Sequence, residues 1–227
     1  MAEQPVYIFD LDGTILDLNS FPRWVIYLLR GRFGQLGALA RLRLSLETAL
    51  VLALRKAHLM PHVAAKRRFQ TLWAQALARD PQALALQGFV AQMQKHVRPG
   101  MAQAMQKAQA TGRTVLATAA AAEYAQALGQ ALGFHHVIAT PSAASGFGDE
   151  NVRARKRENV LAFLQAQGWG EAPRVFFTDH AEDLPLIQTS QIVFWFGADA
   201  QAPAMAQQAP QARIIPCLTQ PSFADQL

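Results

Sequence analysis

The chain has 227 residues, 51% hydrophobic and 16% charged, with a single cysteine. That length fits one large domain or two small ones, and the apolar fraction excludes wholesale disorder. Cys217 cannot close an intramolecular disulfide, and no Cys-x-x-Cys pair exists to build a zinc site.

The formal net charge of +5 suggests a generic polyanion binder, but the charge is unevenly spread. Residues 18–98 carry 13 Lys and Arg against Glu47 and Asp80, a surplus of +11, and the remainder of the chain stands at −6. No stretch approaches the roughly 18–20 apolar residues needed to span a bilayer. Between Trp24 and Leu54 the apolar text is broken by Arg30, Arg32, Arg41, Arg43 and Glu47. The opening MAEQPVYIFD has no leader-like run, so a reducing, cytoplasmic setting is the expectation.

Val6–Asp10 (VYIFD) reads as a buried parallel strand ending in a carboxylate, and Leu11–Thr14 as a turn. From Leu18 to Arg98, leucine and alanine recur at helical spacing (Leu36, Leu39, Leu42, Leu46, Leu50, Ala53). Glycines 31, 34 and 37 and prolines 61 and 81 divide this segment into four or five helices without a strand. After Pro99-Gly100 the text alternates. Met101–Thr111 is helical, Thr114–Thr118 a strand, Ala119–Leu132 helical up to Gly133, and His136–Thr140 a strand. Arg155–Gln167 is a helix closed by Gly168. Arg174–Asp179 is a strand, Asp183–Thr189 a short helix and Gln191–Phe196 a strand. A helix at Ala202–Gln208 leads to an edge strand at Ala212–Pro216, and Gln220–Leu227 reads as a weakly ordered tail. Strand–helix alternation of this kind predicts an α/β fold, a doubly wound parallel sheet with helices on both faces.

Ligands of such sheets bind at the carboxyl ends of the strands. That edge would gather Asp10, Asp12, Thr118, Asp179 and Asp183. Four carboxylates in one low-dielectric cleft repel one another, and a divalent cation relieves this; all-oxygen ligands favour Mg²⁺.

The run Phe9-Asp10-Leu-Asp12-Gly13-Thr14 resembles the signature of the haloacid dehalogenase-like superfamily. Thr118 at a strand end, Lys156, and Asp179-His-Ala-Glu-Asp183 followed by Leu-Pro-Leu match its later motifs in order. The ending and the long insert after the first motif resemble the phosphoserine-phosphatase-like branch. The resemblance implies a Rossmann-like catalytic core of residues 1–17 and 99–227 with a helical cap at 18–98. It implies an Asp10 nucleophile that forms an aspartyl-phosphate, with Asp12 as general acid and base. Thr118 and the Ala119 N–H would hold phosphoryl oxygens, and Lys156 would neutralise charge, with Arg155 or Arg157 as substitutes. Asp10, Asp12 through its backbone carbonyl, and Asp179 would hold Mg²⁺, with Asp183 one layer out. Dehalogenase members are expected to lack the acid/base aspartate, so Asp12 favours phosphate ester hydrolysis. His180 reads as a loop filler, Glu182 as exposed and His135-His136 as a connection.

Two positions depart from the family pattern. Ala119–Ala122 stand where relatives often place Ser or Gly, and Asn19 stands where amino-acid phosphatases have a carboxylate for the substrate's ammonium. The expected partner is a small phosphorylated substrate. A second reading is a membrane-associating phospholipid phosphatase of the phosphatidylglycerophosphatase type, peripheral at the inner membrane face. In that reading Phe21–Leu54 would lie on anionic lipid, mixing Trp24, Tyr27, Phe33, leucines and arginines. A third is a binding protein without turnover. Nucleic acid finds no motif here, and the leucines of this segment read as packing residues rather than stacking platforms.

Overall fold

A computed structural model describes residues 4–218 and 223–226. Six strands form one parallel sheet: β1 Val6–Phe9, β2 Arg113–Ala121, β3 His136–Thr140, β4 Arg174–Thr178, β5 Ile192–Trp195 and β6 Arg213–Pro216. Their order is β3-β2-β1-β4-β5-β6. The chain reverses direction across the sheet beside β1, where β1 lies between β2 and β4 with Ile8 opposite Val115 and Phe176. This is the switch point at which such sheets bind ligands.

The strands are apolar on both sides, and the pleat sorts them by parity. Phe9, Leu116, Val175, Phe177 and Phe194 face one layer, which includes α5 (Met101–Thr111) and α6 (Ala122–Ala131). Val6, Ile8, Val115, Phe176, Val193 and Trp195 face the other, built from α7 (Arg153–Ala166), α8 (Leu184–Ile187) and α9 (Ala202–Gln208). Phe9, Phe177 and Phe194 stack across three strands with ring centroids 4.2 and 4.7 Å apart, stiffening the strands that carry the site.

Between β1 and α5 lie α1 (Ser20–Leu29), α2 (Ala38–Lys56), α3 (His62–Leu77) and α4 (Leu84–Gln94). Leu16 and Val97 bridge antiparallel where the chain leaves the sheet layer and returns. Trp24, Tyr27, Phe33, Trp73 and Phe89 pack edge-to-face or tilted around one another and against Tyr124 of α6. These aromatic side chains are buried, so they belong to a core and not to an outer surface.

Three expectations need correction. Strand β2 does not end at Thr118: it runs on to Ala121, and α6 starts at Ala122. Ala117 pairs with Ile138 but Ala121 with Thr140, so a bulge absorbs the difference. Alanine favours helix, and pairing with β3 overrides that preference. In the expected tail, Phe223–Gln226 form a helical turn that buries Phe223 and Ala224 against the core; residues 220–222 and 227 lie outside the described residues. The leucines of α2 are not all packing residues: Leu39, Leu42, Leu46 and Leu50 are exposed, while Leu44, Thr48 and Val51 are the positions that face inward.

Candidate active site

Strand β1 delivers Asp10 to the switch point, its N–H still bonded to the Phe177 carbonyl at 2.9 Å. The chain then turns abruptly. Leu16 N–H closes a wide turn on the Leu11 carbonyl at 2.9 Å, and Gly13 takes φ +71°. A Cβ on Gly13 would lie 2.0 Å from Asp179 Oδ2, so both the backbone and the neighbouring carboxylate demand glycine. Thr14 Oγ1 approaches Asp179 Oδ1 at 3.4 Å. Arg98 braces the turn from behind, donating to the Gly13 carbonyl at 2.7 Å and to that of Thr14 at 3.3 Å.

Lys156, buried on α7, sits between two carboxylates. Its Nζ is 3.1 Å from Asp10 Oδ1 and 2.8 Å from Asp183 Oδ1. Thr178 donates to Asp183 Oδ2 at 2.7 Å. Burial works against the Lys156 charge, but Asp10 and Asp183 together outweigh it and hold its pKa above the ordinary value. Asp10 is raised by burial and by Asp183, Asp179 and Asp12, with Lys156 opposing. Asp179 is raised for the same first reason.

Asp12 points elsewhere. Its Oδ1 accepts from the Ser20 N–H at 2.9 Å, in the first turn of α1. Ser20 Oγ and the Tyr124 hydroxyl are 2.8 Å apart, forming a buried chain behind the carboxylate. Burial pushes Asp12 up to about 6, with the Ser20 bonds limiting the rise. The carboxyl therefore exchanges its proton near neutral pH.

Asp10, Asp12, Lys156, Asp179 and Asp183 line a cavity of about 420 Å³ together with Ala119, Leu18, Asn19, Arg153 and His180. Asp10, Asp12, Ala119, Lys156, Asp179 and Asp183 thus converge. Thr118 is not among the lining residues: its Oγ1 accepts from the Ala120 N–H at 3.0 Å, as the longer strand and its bulge dictate. Arg155 and Arg157 do not replace Lys156. Arg155 pairs at the surface with Asp149 and Glu158, and only Lys156 contacts the carboxylates. His180 Nδ1 accepts from the Glu182 N–H, a loop-holding bond, and Glu182 pairs with Arg153. Asn19 caps α1 by accepting from Phe21 N–H at 2.9 Å.

Several supporting residues have no signature in the sequence. Ser20 and Thr178 lie near Asp12 and Asp183 in the chain but in no recognised spacing, and Arg98 and Tyr124 are distant from what they hold. So is Lys66 of α3, which donates to the Ala119 carbonyl at 3.0 Å and to Glu150 at 2.6 Å. Asn151 ties the bulge together, donating to the Thr118 and Ile138 carbonyls at 2.9 and 3.1 Å.

The donor set suits a hard divalent cation. Among the described residues no three His, Cys, Asp or Glu side chains form a metal cluster, because Asp12 is turned to Ser20 and Asp183 to Lys156 and Thr178. Asp10 and Asp179 remain, both destabilised as anions by burial and by their neighbours. One or two carboxylates with several waters is how Mg²⁺ is ordinarily held.

A family model described as haloacid dehalogenase-like hydrolase matches residues 7–188. No curated protein sequence gives a significant match. Among solved structures, a protein of unknown function from Bordetella pertussis Tohama I has a TM-score of 0.70 at 20% identity, covering 95% of this chain and 99% of that one. A probable phosphoserine phosphatase from Vibrio cholerae has a TM-score of 0.55 at 14% identity, covering 92% and 60%. A structure described as the phospho-aspartyl intermediate analogue of phosphoserine phosphatase has a TM-score of 0.52 at 12% identity, covering 93% and 92%. At these identities the likeness is one of fold. The family match spans most of the chain, and it includes the strand that ends at Asp10, Lys156 and the Asp179–Asp183 loop: the protein belongs to the haloacid dehalogenase-like hydrolases.

Proposed function

We propose that the protein is a Mg²⁺-dependent phosphomonoesterase that works through an aspartyl-phosphate on Asp10. The observation that carries this reading is the division of labour between two carboxylates two residues apart. Asp10 is held by Lys156 at the mouth of the sheet, and Asp12 is held by Ser20 with its pKa near 6. A nucleophile and a proton donor are thereby kept separate.

In the first step an Asp10 carboxylate oxygen attacks phosphorus and the ester P–O bond breaks. Asp12 gives its proton to the departing alkoxide. In the second step Asp12, now ionised, takes a proton from water. The water oxygen attacks phosphorus, and the bond to Asp10 breaks to release inorganic phosphate. Lys156 neutralises the nucleophile and the phosphoryl oxygens, and Ala119, which lines the cavity, would offer its N–H to a phosphoryl oxygen. Asp10, Asp179 and the Asp12 carbonyl would hold Mg²⁺, which when bound supplies charge neutralisation of the phosphoryl group. Asp183 keeps Lys156 in place. Thr118, which does not line the cavity, would act indirectly, its hydroxyl holding the Ala120 N–H and so the backbone beside Ala119.

In this reading residues 18–98 form a cap over a core of 1–17 and 99–227, in a cytoplasmic setting. The substrate is a small phosphorylated molecule. The fold shared with phosphoserine phosphatases supports the reaction class, while Asn19, spent on capping α1, argues against an ammonium-bearing substrate. The test is phosphate release from para-nitrophenyl phosphate and a panel of phosphate esters, with Mg²⁺ and with chelator. Mg²⁺-dependent release that disappears in Asp10→Asn is expected. No release from any ester by the Mg²⁺-loaded wild type would leave only the binding-protein alternative.

A further inference from the structure

Helix α2 is amphipathic in an unusual sense. Its packed face is narrow, with Leu44, Thr48 and Val51 buried at helical spacing. The opposite face is also apolar. Leu39, Leu42, Leu46 and Leu50 recur at intervals of three and four residues and are 81%, 57%, 61% and 58% exposed. Ala49 and Ala53 lie on the same stripe and are exposed. Single exposed leucines are ordinary, but a four-leucine stripe along one helix is a contiguous apolar patch, and such patches mark interaction surfaces.

The surroundings are strongly cationic. Arg41, Arg43, Arg55 and Lys56 of α2 are exposed, as are Arg23, Arg30 and Arg32 beside α1. From residue 18 to residue 79 the only acid is Glu47, and Arg43 and Arg68 already occupy it at 2.7 and 2.5 Å. Among the described residues no helix is long and apolar enough to cross a membrane.

We propose that the outer face of α2 docks on an anionic lipid bilayer, with its leucines in the interfacial layer and its basic side chains among the headgroups. An in-plane helix needs an apolar face, a cationic flank and low net hydrophobicity, and α2 has all three. A second copy of the chain fits less well. Apposing two α2 faces brings two sets of arginines together, with no free acid between them. The docking does not depend on the phosphatase reading, since none of these leucines or arginines lines the catalytic cavity.

The experiment is sedimentation of the full chain with vesicles of phosphatidylcholine alone and with vesicles containing about one-third phosphatidylglycerol, across ionic strength. Wild type is expected to bind the anionic vesicles and to release as salt rises. Leu42→Ser/Leu46→Ser/Leu50→Ser should weaken binding about tenfold or more, because apolar insertion is lost. Arg43→Gln/Lys56→Gln, the cations at the edges of the leucine stripe, should weaken it about fivefold per charge and flatten the salt dependence. Both variants alter exposed positions and should hydrolyse a soluble ester at the wild-type rate. Failure of wild type to bind anionic vesicles at low salt overturns the proposal. So does binding that the leucine variant retains in full, which is charge attraction without insertion. A dimer that the leucine variant abolishes, with no vesicle binding, assigns the face to a second copy instead.

Discussion

The sheet and α2 handle the same problem in opposite ways. Every strand of the β1–β4–β5 centre is apolar on both sides and covered on both sides, so each side chain's direction follows from the pleat. Helix α2 is also apolar on two sides but is covered on only one. In the sheet, charged groups are concentrated at strand tips, where burial and close charges raise the carboxylate pKa values. In α2 the unburied surplus is spread along a surface. The first region should be intolerant of small changes, and the second should tolerate large ones.

The largest expected effect lies at the tips. Asp10→Asn should reduce phosphate release by about 10⁴-fold or more, since it removes the proposed nucleophile while sparing the fold. Circular dichroism should remain that of the wild type. Equal activity in the variant would break the contrast at its strongest point.

Lys156→Met should cost both function and stability. It leaves Asp10 and Asp183 buried without their shared cation, a loss of about 3–5 kcal/mol. Activity should fall by about 10²–10³-fold. Adding Asp183→Asn should restore part of the stability and none of the activity, as urea denaturation and rate measurements on the two variants would show.

The same substitution at two glycines separates the regions further. Gly13→Ala would force a methyl group into the Asp179 carboxylate and should abolish Mg²⁺-dependent activity. Gly34→Ala, in the insert, meets nothing within 4 Å and should change stability by less than about 0.5 kcal/mol. Within α2 itself, Leu44→Ala should cost about 2–4 kcal/mol, and Leu46→Ala close to nothing.

A smaller effect is the pH response of the metal-free protein. Asp10, Asp12 and Asp179 have pKa values raised by burial, so the folded chain holds protons that the unfolded chain has released. Their contribution to stability is greatest below the unfolded value of 3.8 and falls as pH rises through the folded values, about 6 for Asp12. The melting temperature without metal should therefore decline from pH 4 past pH 6. Mg²⁺ should raise it more at pH 8 than at pH 5, and Asp12→Asn should flatten part of the slope. A melting temperature that rises over this range would contradict the charge account of the site.

Much of this contrast was legible in the sequence, and the reasons differ by region. The strands were legible because short apolar runs ending in Asp have few alternatives, and they placed Asp10, Asp12, Asp179 and Asp183 at one edge. Lys156 was separable from Arg155 and Arg157 only by its match to a motif; its burial between two carboxylates is a tertiary fact. The run Ala119–Ala122 misleads because alanine's helix preference is weaker than pairing with β3. Phe223, in the expected tail, packs edge-on against Phe196 from far along the chain. In α2 the leucine periodicity identifies a helix but not which face is covered, since both faces are apolar. Arg98 and Lys66 act on backbone carbonyls far along the chain, and Ser20 through its own N–H on the Asp12 carboxylate, none of which leaves a local pattern.

The central claim is that Asp10 carries the phosphoryl group. Acid-quenching the Mg²⁺-loaded enzyme during turnover of para-nitrophenyl phosphate, followed by mass spectrometry of its peptides, tests this directly. The account predicts one added phosphoryl group on the peptide containing Asp10, labile to hydroxylamine and missing from Asp10→Asn. Turnover with no covalent phosphoryl group on Asp10, or with one on another residue, would contradict it.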